Sequence, residues 1–209
     1  MKVFIGIFLL IFCYSCKQNA EINKLNNAIN ASNQITDTIF IQPFKGFSKI
    51  RLHIIAAQIE GFYSVKVKIL PEITLFTSSL SNNNRYDASK ILIELKKTIP
   101  NKKQKILGLT SFDIFNENKA RKIKEWGIFG LGSTPGIACV VSDNRLKKFK
   151  NKTDDFVVNV VLHEIAHTYG LAHCNKTAKC LMNDAKGTIA TLYKEDKWLC
   201  PSCKKQLKI

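Results

Sequence analysis

Arginine is nearly absent from this chain: four residues, against 28 lysines. Planar, bidentate arginine is the usual reader of phosphate and base edges, so its scarcity argues against a dedicated nucleic-acid binder. Long apolar runs are also missing. The longest near either end, Val3 to Phe12, has ten residues, too few to cross a ~30 Å hydrocarbon core as a helix. That excludes a multi-pass membrane protein. No internal repeat and no second domain boundary is present. What remains is an ordinary mixture of 209 residues, 45% apolar and 23% charged, incompatible with wholesale disorder or a collagen-like fibre. One domain with its own core is expected. The formal charge of +16 is carried by lysine and reads as a solvated surface.

The first sixteen residues, MKVFIGIFLLIFCYSC, place Lys2 before the apolar run and small or polar residues after it. This is the layout of a secretory signal. Ser15-Cys16 resembles the processing site of a bacterial lipoprotein, although Cys13 stands where leucine is usual. A lipidated Cys16 is therefore expected, with a plain cleaved signal or an uncleaved anchor as the alternatives. The organisation that follows is a signal over residues 1–15, an Asn-rich flexible tether over 16–36, and a folded domain over 37–209. Such a protein would be exported and lipid-anchored on a bacterial envelope, at its periplasmic or outer-membrane face.

Along the domain two periodicities alternate. Thr38 to Pro43 reads as a short strand. Leu52, Ile55, Ala56 and Ile59 mark an amphipathic helix closed near Gly61, and Tyr63, Val65, Val67 and Ile69 a half-buried strand ended by Pro71. Ala88, Ile91, Leu92 and Leu95 form the inward face of a second helix. Ile106 to Leu109 and Gly136 to Ser142 give two more strands. The order predicts an α+β protein, a mixed sheet with helices packed on it.

The chemistry begins at Thr153-Asp154-Asp155, an expected N-cap hydroxyl and first-turn carboxylates. On the helix that follows, His163 and His167 lie four apart and project from one side, with Glu164 between them. This H-E-x-x-H pattern suits a zinc ion bound by two imidazoles, with a carboxylate placed to take a proton from activated water. Gly170 can end the helix in the left-handed conformation and let His173 return as a third ligand, leaving a fourth position open. His53 lies on another helix and reads as a surface or packing residue. Cys174, Cys180, Cys200 and Cys203 have the ligand count of a closed zinc site. Two disulfides are the competing reading, and the C-x-x-C pair 200–203 beside a spaced second pair favours metal. Cys139, in an apolar strand, reads as a buried core residue.

Together these residues resemble the archaemetzincins. The segments are HEIAHTYGLAHC (163–174), CLM (180–182) and CPSC (200–203), with seventeen residues between Met182 and Cys200. Five residues separate Cys174 from Cys180, one more than is usual in that family. Weaker similarity extends over about residues 37–203. The resemblance implies a zincin or metzincin-like fold: a twisted mixed sheet, a backing helix, an active-site helix and a small C-terminal portion organised by a second zinc. It implies catalytic zinc on His163, His167 and His173, Glu164 as general base, and Met182 as a Met-turn beneath the ligands. It also implies that the strand Gly136 to Ser142 forms the rim along which a peptide lies as an added strand.

The expected activity is therefore zinc-dependent peptide hydrolysis, aminopeptidase-like in the family's usual assignment, by a monomer carrying two zinc ions. A non-catalytic zinc-binding envelope lipoprotein is the alternative, and an intact Glu164 argues against it. A basic zinc-ribbon protein on nucleic acid is a third reading, opposed by the export signal and the scarcity of arginine.

Overall fold

The structure, a computed structural model, describes residues 38–99, 101, 104–184, 188–194 and 196–207. The expected signal, tether and lipidated Cys16 lie outside the described residues. Eight strands and five α-helices follow one another within the compact unit Asp37–Ile209, among the described residues. A five-stranded sheet has the order β2-β1-β4-β8-β7, built from β1 (Thr38–Pro43), β2 (Lys66–Ile69), β4 (Lys105–Thr110), β7 (Gly130–Gly132) and β8 (Ala138–Ser142). Its pairs are parallel except β7 with β8, which is antiparallel and leaves β7 as one edge. A smaller sheet joins β3 (Tyr86–Asp87), β5 (Ile114–Asn118) and β6 (Ile123–Gly127) in the order β3-β5-β6.

Side chains alternate across the pleat, so each central strand feeds two cores. Ile39, Ile41, Leu107, Leu109, Cys139 and Val141 meet helices α1 (Lys49–Tyr63) and α3 (Thr153–Thr168) on one face. Ile106, Ala138 and Val140 meet α2 (Ala88–Thr98) on the other, through its buried face Ala88, Ile91, Leu92 and Leu95. Gly108 in β4 allows that approach: a Cβ there would stand 2.9 Å from Leu95 Cδ1. Two short helices, α4 (Ile189–Leu192) and α5 (Pro201–Leu207), complete the C-terminal portion, whose Leu171, Leu181, Leu192 and Leu199 join the α3 core.

Three expectations need correction. Helix α1 does not close at Gly61; it runs on to Tyr63 and ends at Ser64, which takes the left-handed conformation (φ 54°) and bonds Glu60 O. Tyr63 is therefore a buried helical residue whose hydroxyl donates to Leu162 O, and the strand begins only at Lys66. Thr153 is not an N-cap. A 3₁₀ turn, Lys147–Lys152, leads directly into α3, and the Thr153 hydroxyl donates instead to Leu146 O at 3.1 Å.

Candidate active site and metal centres

Helix α3 presents His163, Glu164 and His167 on one side because residues three and four apart share a face. Asp154 and Asp155 occupy its positive first turn. Its far end is closed by a paired turn: Gly170, at φ 94°, bonds His167 O, and Leu171 N–H reaches back to Ala166 O. The chain thus doubles back under the helix and carries His173 to the other two histidines. The three ring centroids lie 4.6, 4.9 and 5.3 Å apart, and the ligand nitrogens within 4.8 Å of one another.

Two of the rings have a defined tautomer. His163 Nδ1 donates to Leu181 O at 2.7 Å, and His167 Nδ1 donates to Leu171 O at 2.6 Å. A carbonyl only accepts, so each Nδ1 carries the proton and each Nε2 keeps a lone pair for a metal. His173 is half exposed, its Nδ1 3.9 Å from Asp184 Oδ2. Burial, reinforced by His167, pushes the His163 imidazolium down to about 3 against the opposing pull of the Leu181 carbonyl. Burial likewise lowers His167. Both are therefore neutral at physiological pH, the form a metal requires.

Glu164 is buried beside them, and burial pushes its carboxyl up to about 8 although the Gly132 N–H favours the ionised form. The close approach of β7 to α3 depends on its glycines. A Cβ on Gly132 would lie 2.6 Å from Glu164 O and 3.0 Å from His167 Cβ, and one on Gly130 would lie 2.7 Å from Glu164 Cγ. The cleft in front of this wall has a volume of about 480 Å³ and is lined by the three histidines, Glu164 and the apolar Phe129, Leu131, Val160 and Leu192.

Here the structure overturns the expected substrate rim. The strand Ala138–Ser142 is interior, paired on both sides, and has no free edge. The edge that borders the cleft is β7, a three-residue strand that periodicity does not reveal. Two glycines spaced i, i+2 in Gly130-Leu131-Gly132 were the available signal, since such a pair clears one face of a strand.

The four cysteines converge as a second, fully separate donor set, all buried and none in a disulfide. Cys174 and Cys200 Sγ lie 3.7 Å apart, Cys180 and Cys203 Sγ 3.8 Å. A tetrahedron of thiolates at ~2.3 Å from zinc has edges of about 3.8 Å. Burial raises Cys180 and Cys203, whereas hydrogen bonds from Cys203 and the neighbouring thiols lower Cys200 against its own burial. Both donor sets therefore fit zinc, one closed and one with an open side toward the cleft. Met182 is fully buried, and its carbonyl accepts from Cys174 N–H at 2.7 Å, tying the segment after His173 to the turn at 180–183. Cys139 is buried in the core, and His53 is exposed on α1.

A mixed sheet whose antiparallel edge strand lies over a helix bearing H-E-x-x-H defines the zincin-like class of α+β proteins. The sequence pattern of peptidase family M54 matches residues 49–209, and the chain belongs to that family. It is 32% identical over 111 residues to an archaemetzincin of Halobacterium salinarum, covering 48% of this chain and 60% of that protein. With an archaemetzincin of Haloquadratum walsbyi it shares 27% over 162 residues, 73% of this chain and 88% of the relative. The chain thus spans about three fifths of the first relative's length. In structure it resembles the archaemetzincin of Archaeoglobus fulgidus solved with malonate (TM-score 0.69, 23% identity, 81% of this chain and 99% of that one). The archaemetzincin of Methanopyrus kandleri is similar (TM-score 0.69, 22% identity, 84% and 96%). These likenesses agree with the α+β fold expected from the sequence.

Proposed function

We propose that this chain is a zinc-dependent peptidase in which His163, His167 and His173 hold the catalytic ion and Glu164 is the general base. One observation carries the reading: both helix imidazoles have Nδ1 engaged by a carbonyl, which leaves both Nε2 atoms for one ion beside a buried carboxylate. When bound, zinc supplies Lewis acidity, acidifying water and polarising a carbonyl oxygen. Glu164 accepts a proton from the attacking water and returns it to the leaving amine. The Gly132 N–H holds that carboxylate in place and favours its ionised form, the one that accepts a proton.

The substrate lies beside β7. Phe129 O and Ser133 N are bonded to β8, so by the alternation of an antiparallel pair the N–H and C=O of Gly130 point outward from the free edge of β7. They can bind an extended peptide as an added strand while Phe129, Leu131, Val160 and Leu192 exclude water. A second zinc on Cys174, Cys180, Cys200 and Cys203 holds the C-terminal portion, giving two ions per chain. Met182 forms the buried floor. Aminopeptidase-like action follows the family's usual assignment, and the protein acts as a monomer. Export and anchoring to a bacterial envelope through a lipidated Cys16 rest on the sequence pattern of residues 1–16 alone. Among the described residues no helix is long and apolar enough to cross a membrane.

The test is cleavage of a mixed peptide library by the purified protein before chelation, after chelation and after zinc is restored. Cleavage lost and regained with zinc supports the proposal; cleavage indifferent to chelation overturns it.

A further inference from the structure

His163 and His167 each have Nδ1 engaged by a backbone carbonyl, Leu181 O and Leu171 O. The third histidine breaks this pattern. Among the described residues no carbonyl takes that part at His173, and what lies against its Nδ1 is a carboxylate, Asp184 Oδ2, at 3.9 Å. That is about 1 Å beyond hydrogen-bond length, a gap that a side-chain torsion closes. The backbone brings the two residues together. Cys174 N–H donates to Met182 O at 2.7 Å, and Asn183 N–H donates to Cys180 O at 2.9 Å. These bonds fix the residue after His173 and the residue before Asp184, so the approach of the two side chains is built into the fold.

The charges of the cleft point the same way. Its lining includes two carboxylates, Glu164 and Asp184, and among the described residues no lysine or arginine, in a chain that carries 32 of these cations. Three neutral imidazoles around a divalent ion leave two positive charges, which the two carboxylates match when both are ionised. The charge of Asp184 is felt at the other two rings, where it opposes the effect of burial on His163 and His167. Yet Asp184 is not one of the converging donors, a group made up of His163, His167 and His173. It stands behind a ligand and not among the ligands.

We infer that Asp184 is the positioning residue of the third ligand: its carboxylate accepts a hydrogen bond from His173 Nδ1–H and so turns Nε2 toward the ion. A carboxylate behind a metal-bound imidazole fixes the tautomer and orientation of the ring and makes its other nitrogen a better donor. The two side chains are 48% and 45% exposed, so as an ordinary surface ion pair they would contribute little. Their effect lies in orienting a ring that no carbonyl orients. The inference rests on the zinc-peptidase reading and adds to it a residue outside the H-E-x-x-H pattern.

The experiment reads metal affinity, so it does not depend on turnover. Full-length protein carrying zinc at both donor sets is titrated with a chromophoric chelator, while protection of the cysteines from a thiol reagent reports the thiolate set. Asp184→Ala weakens zinc at the histidines by about 10–100-fold and leaves the cysteines protected. Asp184→Glu keeps the carboxylate and restores most of that affinity, a rescue that a merely structural loss would not show. Unchanged affinity in Asp184→Ala overturns the inference. So does a weakening that Asp184→Glu fails to relieve, or one in which the cysteines lose protection in step with the histidines. A wild type that binds no zinc at the histidines overturns both this inference and the peptidase reading. Zinc weakened in Asp184→Ala, in a protein whose wild type cleaves no peptide, sinks the peptidase reading and keeps the positioning role. Zinc-dependent cleavage with unchanged affinity in Asp184→Ala does the reverse.

Discussion

The Nδ1–H of His163 donates to the carbonyl oxygen of Leu181, and Leu181 follows Cys180 directly in the chain. His173 in turn precedes Cys174. One histidine's orientation and another's position are therefore fixed by residues adjoining the thiolate cluster. Metal binding at a closed thiolate site is coupled to the ordering of the segments it joins, so loss of the cluster releases both segments. Cys200→Ser touches neither histidine, yet it is predicted to remove both of the proposed zinc ions. Metal analysis of the dialysed variant checks this, and retention of one ion per chain counts against the coupling.

Gly132 and Gly61 make opposite predictions for the same substitution. At Gly132 a methyl group meets the backbone oxygen of Glu164 at 2.6 Å, and a backbone atom of a buried helix cannot step aside. Gly132→Ala should cost about 1–3 kcal/mol in stability and at least about tenfold in peptide cleavage. Gly61 lies inside α1 with nothing within 4 Å of the added carbon, so Gly61→Ala should stabilise by roughly 0.5–1 kcal/mol and leave cleavage alone. Urea midpoints and cleavage rates of the two variants settle both.

The Glu164 carboxyl gives the metal-free protein a pH dependence. Burial raises its folded pKa to about 8 from an ordinary 4.5, so the folded state holds the proton more tightly than the unfolded chain. Its stabilising contribution is complete below about pH 4.5 and is lost as pH rises through 8. Glu164→Gln cannot titrate. The stability of wild type minus that of the variant, measured by urea unfolding of chelated protein, is predicted to fall across that window; a flat difference is the contrary result.

Lys105 fastens the end of α3 to the turn after β7. Its Nζ donates to Gly136 O at 2.6 Å and Thr168 O at 3.0 Å and lies 4.9 Å from the Tyr169 ring centroid. Lys105→Met keeps the stem and strips the charged donor from two carbonyls, a loss of about 1–3 kcal/mol. Denaturant unfolding of the variant, with an unshifted midpoint as the outcome against, checks it.

How legible these features were in the sequence depended on whether a side chain announced them. The 3.6-residue period placed Ala88, Ile91, Leu92 and Leu95 on one face of α2, and all four are buried. The same period put His163, Glu164 and His167 together, and Gly170 announced the turn that returns His173. What holds the histidines was illegible, because the carbonyls of Leu171 and Leu181 belong to the backbone and any residue could carry them. Strand β7 was equally hidden: three residues show no alternation, and Gly130-Leu131-Gly132 is a strand only through β8 and α3. At Gly61 a local rule failed for a tertiary reason, since the burial of Tyr63 carries α1 past a residue that usually ends a helix.

The account stands most directly on Glu164. Wild type and Glu164→Ala are to be loaded with zinc, their metal counted, and their cleavage of the same peptide library compared. Equal zinc content with cleavage reduced roughly 10²–10⁴-fold in the variant is the predicted result. Equal zinc content with undiminished cleavage would contradict the assignment of Glu164 as the general base and, with it, the proposed mechanism.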